Sequence, residues 1–376
     1  MSWSIPVLPV CYPIYLYQVI LVSRVIHAGL MRAIVVVIAV VASVGMAALS
    51  VPIYEWPVSN PDDENVDQQL IYDMLAHIDQ ANILIHSISI IRNGSLILDV
   101  YYENDDFGYN EPHPVCSCTK SVISLLIGIA VDQGLIGSVD VPVLDFFPEM
   151  EVEFVTARKE AMTLDHLLTM TAGYRCNNDA DSDSWDASTD HLSYVLDWPV
   201  SYTPGARWDY CNGVSYLLSA ILTEATGMSA FSFAYEYLFR PLGIVNVVWD
   251  IDNWNGINLG HTGLYLRPHD MAKIGQLVLN HGTWDGKQIV PAQWVEQSMI
   301  AHATSNETGI WQAGTGYGYQ WWVDPKGYAF AIGQGAQVIF IVPNKNMVVV
   351  FTSVLFDEDQ AIPEELLNTY IIPAAH

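Results

Sequence analysis

The sequence predicts an α/β (α+β) fold, in which a central antiparallel sheet is flanked by helices and carries a mainly helical inserted domain. Two strand-like segments lie near residue 90, and four more follow one another between residues 321 and 354, separated by short turns. Between these regions, residues 136–256 alternate loops with apolar helices. We therefore assign residues 59–135 and 257–376 to a sheet domain made from both parts of the chain, and residues 136–256 to a helical domain.

The first part of this chain predicts a helix followed by a β-hairpin. Val66–Gln80 has apolar residues at helical spacing, while Ser87–Ile91 and Ser95–Tyr102 resemble strands. Asn93-Gly94 joins the two strands, and this dipeptide favours a tight hairpin turn because both residues tolerate positive φ. The remaining predicted elements are helices from Ser117 and at Leu164–Met170, Val214–Ala225, Pro268–Asn280 and Glu364–Tyr370, and strands at Trp321–Val323, Tyr328–Ile332, Val338–Val342 and Met347–Val354.

Composition limits the range of functions. The chain has 376 residues, is 51% hydrophobic and carries a formal net charge of −27. It can therefore bury a large core. Nucleic acids and anionic membrane surfaces both require basic residues for electrostatic binding, so we expect neither as a partner. The oligomeric state is left open.

Residues 1–58 differ from the rest and predict export. Residues 33–53 carry no charge and follow Arg32, which favours a membrane anchor with the later domain on the outer side. The alternative is a cleavable signal peptide that starts at Met31 and ends near Ala48-Leu49-Ser50, and the sequence does not decide between them. In either case we expect a periplasmic or extracellular protein that meets a membrane only through this segment.

The cysteines and the acidic loop do not predict a metal site. Five cysteines are too few for a disulfide scaffold, although a Cys176–Cys211 bridge becomes available if the domain is exported. Residues 177–190 begin like a calcium loop, but Ser184 replaces the required glycine and Asp190 the preferred glutamate. We interpret this segment as a solvated loop, and we expect neither a metal nor an organic cofactor.

A candidate nucleophile lies at the start of an apolar helix. Ser117 and Lys120 are three residues apart, and Val122–Val131 is almost entirely apolar. If the helix begins at Ser117, the two side chains share one face. Burial lowers the pKa of a lysine, so Lys120 could take the serine proton and activate Ser117. The pattern S-x-x-K is common by chance, and a surface serine and lysine at a helix start is the alternative.

Two further patterns would complete a hydrolytic site. In Tyr210-Cys211-Asn212, the tyrosine can relay a proton, and the asparagine can accept from Lys120 or donate to a substrate carbonyl. The segment Gly333–Gln337 precedes a strand, and its glycines allow a sheet edge to approach Ser117 closely. A backbone N–H from that edge, with the N–H of Ser117, would form an oxyanion hole. Each pattern alone is also typical of an ordinary loop or turn.

In this order, S-x-x-K, Y-x-N and a Gly-rich strand edge resemble the serine β-lactamase and penicillin-binding-protein superfamily. The resemblance covers about residues 66–372 and favours the branch of class C β-lactamases, β-lactamase-like carboxylesterases, D-Ala-D-Ala carboxypeptidase-type hydrolases and 6-aminohexanoate-dimer hydrolase. It also includes Leu167–Tyr174, Pro204-Gly205, Pro241–Gly243 and Gly263–Ala272. The fold that it implies is the β-lactamase/transpeptidase-like fold.

The resemblance implies a role for each matching residue. Ser117 would be the acylated nucleophile, Lys120 its partner in proton transfer, and Tyr210 the general base and acid. Contacts with the substrate, with Lys120 or with the oxyanion are expected from a second set of residues: Asn212, Gly335, Ala336, Tyr174 and His261. Within this set, the N–H of Ala336 would be the second oxyanion donor.

The third motif departs from the K-T-G or H-T-G that is frequent in the family. A literal His261-Thr262-Gly263 exists, but it precedes a helical segment, whereas Gly333–Ala336 fits a sheet edge. Without a cationic residue there, the carboxylate of a β-lactam or a D-Ala-D-Ala peptide lacks a partner. We therefore predict a serine hydrolase that forms an acyl-enzyme with small-molecule or peptide-like esters or amides. The alternatives are a membrane-anchored sensor that is acylated without turnover, and a true β-lactamase or D-Ala-D-Ala carboxypeptidase.

Overall fold

The strands of the computed structural model, which describes residues 54–102, 107–178, 184–185, 187–305 and 314–376, form mainly one antiparallel sheet. They are β1 (Ile85–Arg92), β2 (Ser95–Tyr101), β3 (His113–Pro114), β4 (Val248–Trp249), β5 (Leu264–Leu266), β6 (Thr283–Trp284), β7 (Lys287–Gln288), β8 (Ala303–Thr304), β9 (Gly316–Tyr317), β10 (Trp322–Asp324), β11 (Tyr328–Gly333), β12 (Gln337–Val342) and β13 (Met347–Ser353). Within these ranges, the main sheet has eight strands in the order β2-β1-β13-β12-β11-β10-β9-β8.

Helices cover this sheet. They are α1 (Gln68–Ala81), α2 (Cys118–Asp132), α3 (Ala157–Glu160), α4 (Leu164–Leu168), α5 (His191–Asp197), α6 (Asn212–Thr226), α7 (Ala230–Ala234), α8 (Pro268–Leu279), α9 (Ala292–Ser298), α10 (Ile362–Leu366) and α11 (Ile372–Ala374). Every residue of β1, β11, β12 and β13 is buried, so both faces of the central strands are covered. The predicted antiparallel sheet with flanking helices is confirmed.

The predicted division into a sheet domain and a helical domain is not visible as two separate compact units among the described residues. The described residues from Tyr54 onward belong to one compact unit, so the predicted boundary between a sheet domain and a helical domain stays a prediction. The predicted leader, residues 1–58, lies outside the described residues up to residue 53. In the part of the chain that is described, no single helix is long and apolar enough to cross a membrane; only Asn212–Thr226 together with Ala230–Phe239 passes that test, with a bend of 74°.

The hairpin predicted at Asn93-Gly94 is present. Asn93 has φ 52° and Gly94 φ 81°, so both turn residues occupy the left-handed region that this turn requires. Arg92 pairs with Ser95 directly across the turn. This local signal therefore sets the pairing of the two strands next to the turn, and the register shifts between Ile91 and Ile90.

Helix α2 is the centre of the fold. Thirteen residues from Cys118 to Ala130 are buried, as expected for a helix that is apolar on all sides. It packs against β11, α6 and α9. The contact with α9 is close: a Cβ added at Gly128 would lie 2.4 Å from the Trp294 ring.

We predict that Gly128→Ala destabilises the protein, because the added methyl group would overlap the buried indole of Trp294. Overpacking of this kind costs about 1–3 kcal/mol, more than alanine gains over glycine in helix propensity. The free energy of unfolding in urea is the measurement. Gly137→Ala is the matched control, since its nearest neighbour would be Val141 Cγ2 at an ordinary 3.7 Å. Equal stability of the two variants would contradict the prediction.

Candidate active site

Ser117 lies at the N-terminus of α2, where its side chain does not cap the helix. The preceding residue, Cys116, has φ 48°, a left-handed conformation that turns the chain into the helix. Because the Ser117 hydroxyl makes no capping bond, it is free to accept a hydrogen bond from Lys120 Nζ at 3.0 Å. The pair predicted from the S-x-x-K spacing is thus in direct contact.

Lys120 is only 1% exposed, and its amine has three acceptors. Nζ donates to Ser117 Oγ, to Asn212 Oδ1 at 2.8 Å and to the carbonyl of His261 at 2.9 Å. Burial lowers the pKa of Lys120 to about 7, although the neighbouring thiols of Cys116 and Cys118 act in the opposite direction. A lysine with this pKa is partly uncharged near neutral pH, so its lone pair can accept the serine proton.

Asn212 and His261 reach Lys120 in different ways. Asn212 is the first residue of α6, and this position directs its side chain to the amine. His261 contributes its backbone carbonyl. Its imidazole instead packs against Trp185, with ring centroids 4.9 Å apart, and burial holds its pKa well below the usual range. The sequence analysis predicted that His261 lies near the cleft. In the structure its backbone carbonyl contacts Lys120, and its imidazole does not.

The ring of Tyr210 lies beside the amine of Lys120. Lys120 Nζ is 4.9 Å from the ring centroid, a distance at which a cation is attracted to an aromatic face. The ring stacks on Trp322 at 5.9 Å and meets Tyr317 edge-on at 6.3 Å. Neighbouring aromatic side chains thus hold Tyr210 next to the Ser117–Lys120 pair.

The sheet edge approaches Ser117 at Gly333, the last residue of β11. A Cβ added there would lie 2.3 Å from the carbonyl oxygen of Val115 and 2.9 Å from the backbone N of Ser117. Only glycine allows this approach. The N–H that follows it along the chain belongs to Gln334, which makes this amide the better candidate for the second oxyanion donor.

Gly335, which was predicted to contact the substrate or the oxyanion, and Ala336, whose N–H was predicted as the second oxyanion donor, lie further along the same turn. Their carbonyls accept from Ser353 Oγ at 2.6 and 3.0 Å. The closest approach to Ser117 is therefore three residues earlier than the predicted Ala336. A short Gly-rich turn shows no periodicity, so its register against Ser117 could not be read from the sequence.

Tyr174, predicted to contact the substrate, is a core residue in the structure. It is 2% exposed, and its ring packs edge-on against Trp198 at 5.7 Å. Burial raises the pKa of its hydroxyl. Among the described contacts, none joins it to Ser117 or Lys120.

The described residues contain no group of three or more His, Cys, Asp or Glu side chains that could hold a metal ion. Residues 179–183 and 186 of the acidic loop lie outside the described residues.

Gln320 supports the site and was not predicted. Its side chain accepts from Ser215 Oγ at 2.7 Å and donates to the carbonyls of Leu167 and Leu168 at 3.0 Å, while its own carbonyl accepts from Ser121 Oγ at 2.7 Å. It thereby joins α2, α4 and α6 beneath the site. No sequence signal marks it, because a lone glutamine between strands reads as a surface residue.

Comparisons with known proteins identify the family and the fold of this chain. A family model described as Beta-lactamase matches residues 76–367. The chain is 23% identical over 299 residues to the 6-aminohexanoate-dimer hydrolase of Paenarthrobacter ureafaciens, covering 72% of this chain and 73% of that protein. Among solved structures, a family VIII carboxylesterase is 14% identical with a TM-score of 0.65, covering 84% of this chain and 98% of its own. The octameric penicillin-binding protein homologue from Pyrococcus abyssi is 20% identical with a TM-score of 0.61, covering 80% and 77%.

The reactivity of Ser117 should depend on the protonation of Lys120. Since the pKa of Lys120 is about 7, we expect phosphonylation of Ser117 by a fluorophosphonate, which forms a phosphonate ester and releases fluoride, to accelerate as pH rises through this value. Above it the amine is neutral and accepts the serine proton. Labelling rates between about pH 5.5 and about pH 8.5 measure this. Lys120→Arg, whose side chain stays protonated, should label slowly throughout. A wild-type rate that does not change across this range would contradict the assignment.

Proposed function

The chain belongs to the Beta-lactamase family, and we propose that it is a serine hydrolase that cleaves ester or amide bonds through an acyl-enzyme at Ser117. The observation that carries this proposal is the hydrogen bond of 3.0 Å between Lys120 Nζ and Ser117 Oγ, made by a buried lysine whose pKa is about 7. A nucleophile and base within hydrogen-bond reach, with the base oriented by a third group, is the arrangement that covalent catalysis needs. Here Asn212 is that third group.

In the first step, neutral Lys120 accepts the proton of Ser117 as Oγ attacks the substrate carbonyl. The tetrahedral oxyanion is held by the N–H of Ser117, at the positive end of α2, and by the N–H of Gln334 beside Gly333. Tyr210, next to Lys120, passes the proton to the leaving group, and the carbonyl reforms as that group departs. The product of this step is an ester of Ser117.

The second step reverses these roles with water as the nucleophile. Tyr210 and Lys120 take a proton from water as its oxygen attacks the acyl carbonyl, and the same N–H groups hold the second oxyanion. Collapse of this intermediate breaks the bond to Ser117 Oγ, which recovers its proton from Lys120. The enzyme is then ready for another cycle.

We propose a small-molecule or peptide-like substrate that lacks the carboxylate of a β-lactam or a D-Ala-D-Ala peptide. The strand edge at the site carries Gly333 and Gln334 where a cationic residue would bind that carboxylate. Gln337, further along, turns its amide inward to the carbonyl of Ser353 at 2.6 Å. The 6-aminohexanoate-dimer hydrolase and the carboxylesterase among the relatives are consistent with amides and esters.

We also propose that the domain works outside the cytoplasm. Cys176 and Cys211 form a disulfide, and such bridges persist in oxidising compartments. Residues 33–53, the signal peptide or anchor in this proposal, lie outside the described residues. Protease accessibility of the domain in intact cells would test the location.

We predict that Ser117→Ala abolishes turnover and that Tyr210→Phe lowers kcat by at least about a hundredfold, in line with general acid–base contributions. Steady-state kinetics on a short-chain nitrophenyl ester measure both. Tyr72→Phe is the matched control, because Tyr72 is 51% exposed on α1 and should leave kcat near the wild-type value. Activity of Ser117→Ala near the wild-type level would refute the nucleophile.

A substrate panel distinguishes the alternatives. We expect kcat/KM for a nitrophenyl ester or a linear amide to exceed that for a chromogenic cephalosporin by at least about tenfold, since the cephalosporin carboxylate would lack one charge-assisted hydrogen bond. We expect kcat/KM for a D-Ala-D-Ala peptide to be lower than that of the ester or the linear amide for the same reason. Ser117→Ala is the blank. Faster cephalosporin turnover would favour a true β-lactamase, and a stoichiometric burst without turnover would favour a sensor.

A further inference from the structure

We propose that the Cys176–Cys211 disulfide and the side chain of Asn178 form a clamp that positions Tyr210 and Asn212 for catalysis, so that reduction of the bridge lowers turnover without unfolding the protein. The catalytic part of this inference rests on the proposed function. Its structural part concerns only how the chain is held. The term "clamp" below means Cys176, Asn178 and Cys211.

The bridge enters the Y-x-N motif at its middle residue. Cys211 lies between Tyr210 and Asn212, is 1% exposed, and is bonded to Cys176, 35 positions earlier in the chain. Tyr210 and Asn212 are the motif residues that lie beside Lys120. A covalent bond to the residue between them therefore restrains both.

Asn178 holds the same two residues by hydrogen bonds. Its Nδ2 donates to the carbonyl of Tyr210 at 3.0 Å, and its Oδ1 accepts from the backbone N–H of Asn212 at 2.9 Å. The Asn178 side chain thus bridges the backbone groups of the two residues that flank Cys211. Because Asn178 is only two residues from Cys176, the bridge keeps it in this place.

The second of these bonds replaces a helix cap. Cys211 is the N-cap residue of α6, and its side chain makes no capping bond to the helix, since its sulfur is in the disulfide. Helix N-termini leave N–H groups without intrahelical acceptors. Asn178 supplies the acceptor for the first of them from another segment. The position of Asn212, and hence of its Oδ1 at Lys120, depends on this external cap.

The adjoining chain is anchored elsewhere. The N–H of Asp209 donates to the carbonyl of Met170 at 2.9 Å, and α6 is buried in the core after Asn212. The clamp therefore acts on the short span from Tyr210 to Asn212. Loss of the clamp should displace this span while leaving the rest of the fold in place.

Reduction breaks the bridge by thiol–disulfide exchange. One thiolate of dithiothreitol attacks a bridge sulfur and releases the other cysteine as a thiol, and the second thiol of the reagent then displaces the protein from the mixed disulfide. The reagent leaves as a cyclic disulfide, having given two electrons and two protons to Cys176 and Cys211. Cys116 and Cys118 are not part of a disulfide, so the reagent does not change their oxidation state.

The experiment measures turnover and local order on the full-length chain before and after reduction. With a nitrophenyl ester as substrate, we expect kcat to fall at least about tenfold while KM changes less, because small misplacement of catalytic groups is costly. Far-UV circular dichroism should not change. Amide hydrogen exchange should accelerate at residues 210–212 and stay slow in the central strands.

Variants separate the clamp from general stability. Cys176→Ser with Cys211→Ser should reproduce the low kcat of the reduced protein and should not respond to dithiothreitol. Asn178→Ala should lower kcat with the bridge intact. Asn178→Asp, which keeps the acceptor for the Asn212 N–H, should recover part of the loss in amide protection at Asn212. A purely structural clamp would lower only the melting temperature and leave kcat of the folded protein unchanged.

The possible failures are distinguishable. If the oxidised protein turns over substrates and reduction leaves kcat unchanged, the clamp has no catalytic role. If hydrogen exchange at residues 210–212 is also unchanged on reduction, the clamp does not hold the motif. If no Ser117-dependent turnover exists at all, the proposed function fails, and the exchange measurement still decides whether the motif is clamped.

Discussion

The hydrogen bonds of one buried amine organise this protein's candidate site. Lys120 donates to groups from α2, from the start of α6 and from the chain before β5, so these three segments must meet around it. An amine buried without acceptors would be strongly destabilising. The same burial lowers the pKa of Lys120 to about 7. The contacts that satisfy the lysine are thus also the contacts that prepare it for proton transfer.

Close packing of α2 makes this arrangement possible. The helix is buried along nearly its whole length, and glycines permit two close contacts at this helix. Gly333 allows β11 to reach the backbone of Ser117, and Gly128 accommodates Trp294. Ser117 therefore lies where a helix end meets a sheet edge, a place where backbone N–H groups of two elements can converge on an oxyanion.

Much of the fold and half of the site were predictable from local patterns. Asn93-Gly94 predicted a hairpin because only residues that tolerate positive φ fit its turn. The apolar run after Lys120 predicted a buried helix, and Tyr210-Cys211-Asn212 was correctly placed before another. Ala336 and Tyr174 were not: a Gly-rich turn has no period that sets its register, and an aromatic residue near a motif can face the core as easily as the cleft. No local sequence pattern marked Asn178 or Gln320 as residues of the site.

By itself, the sequence determined the order of the elements and the chemistry available to them: a serine and a lysine on one helical face, and a tyrosine and an asparagine before another helix. These depend on neighbours within a few positions, where backbone preferences and side-chain spacing decide. Only the tertiary structure decided which groups meet. Asn212 reaches Lys120 across 92 positions and the carbonyl of His261 across 141, and such contacts follow from how helices and strands pack, which no local pattern encodes.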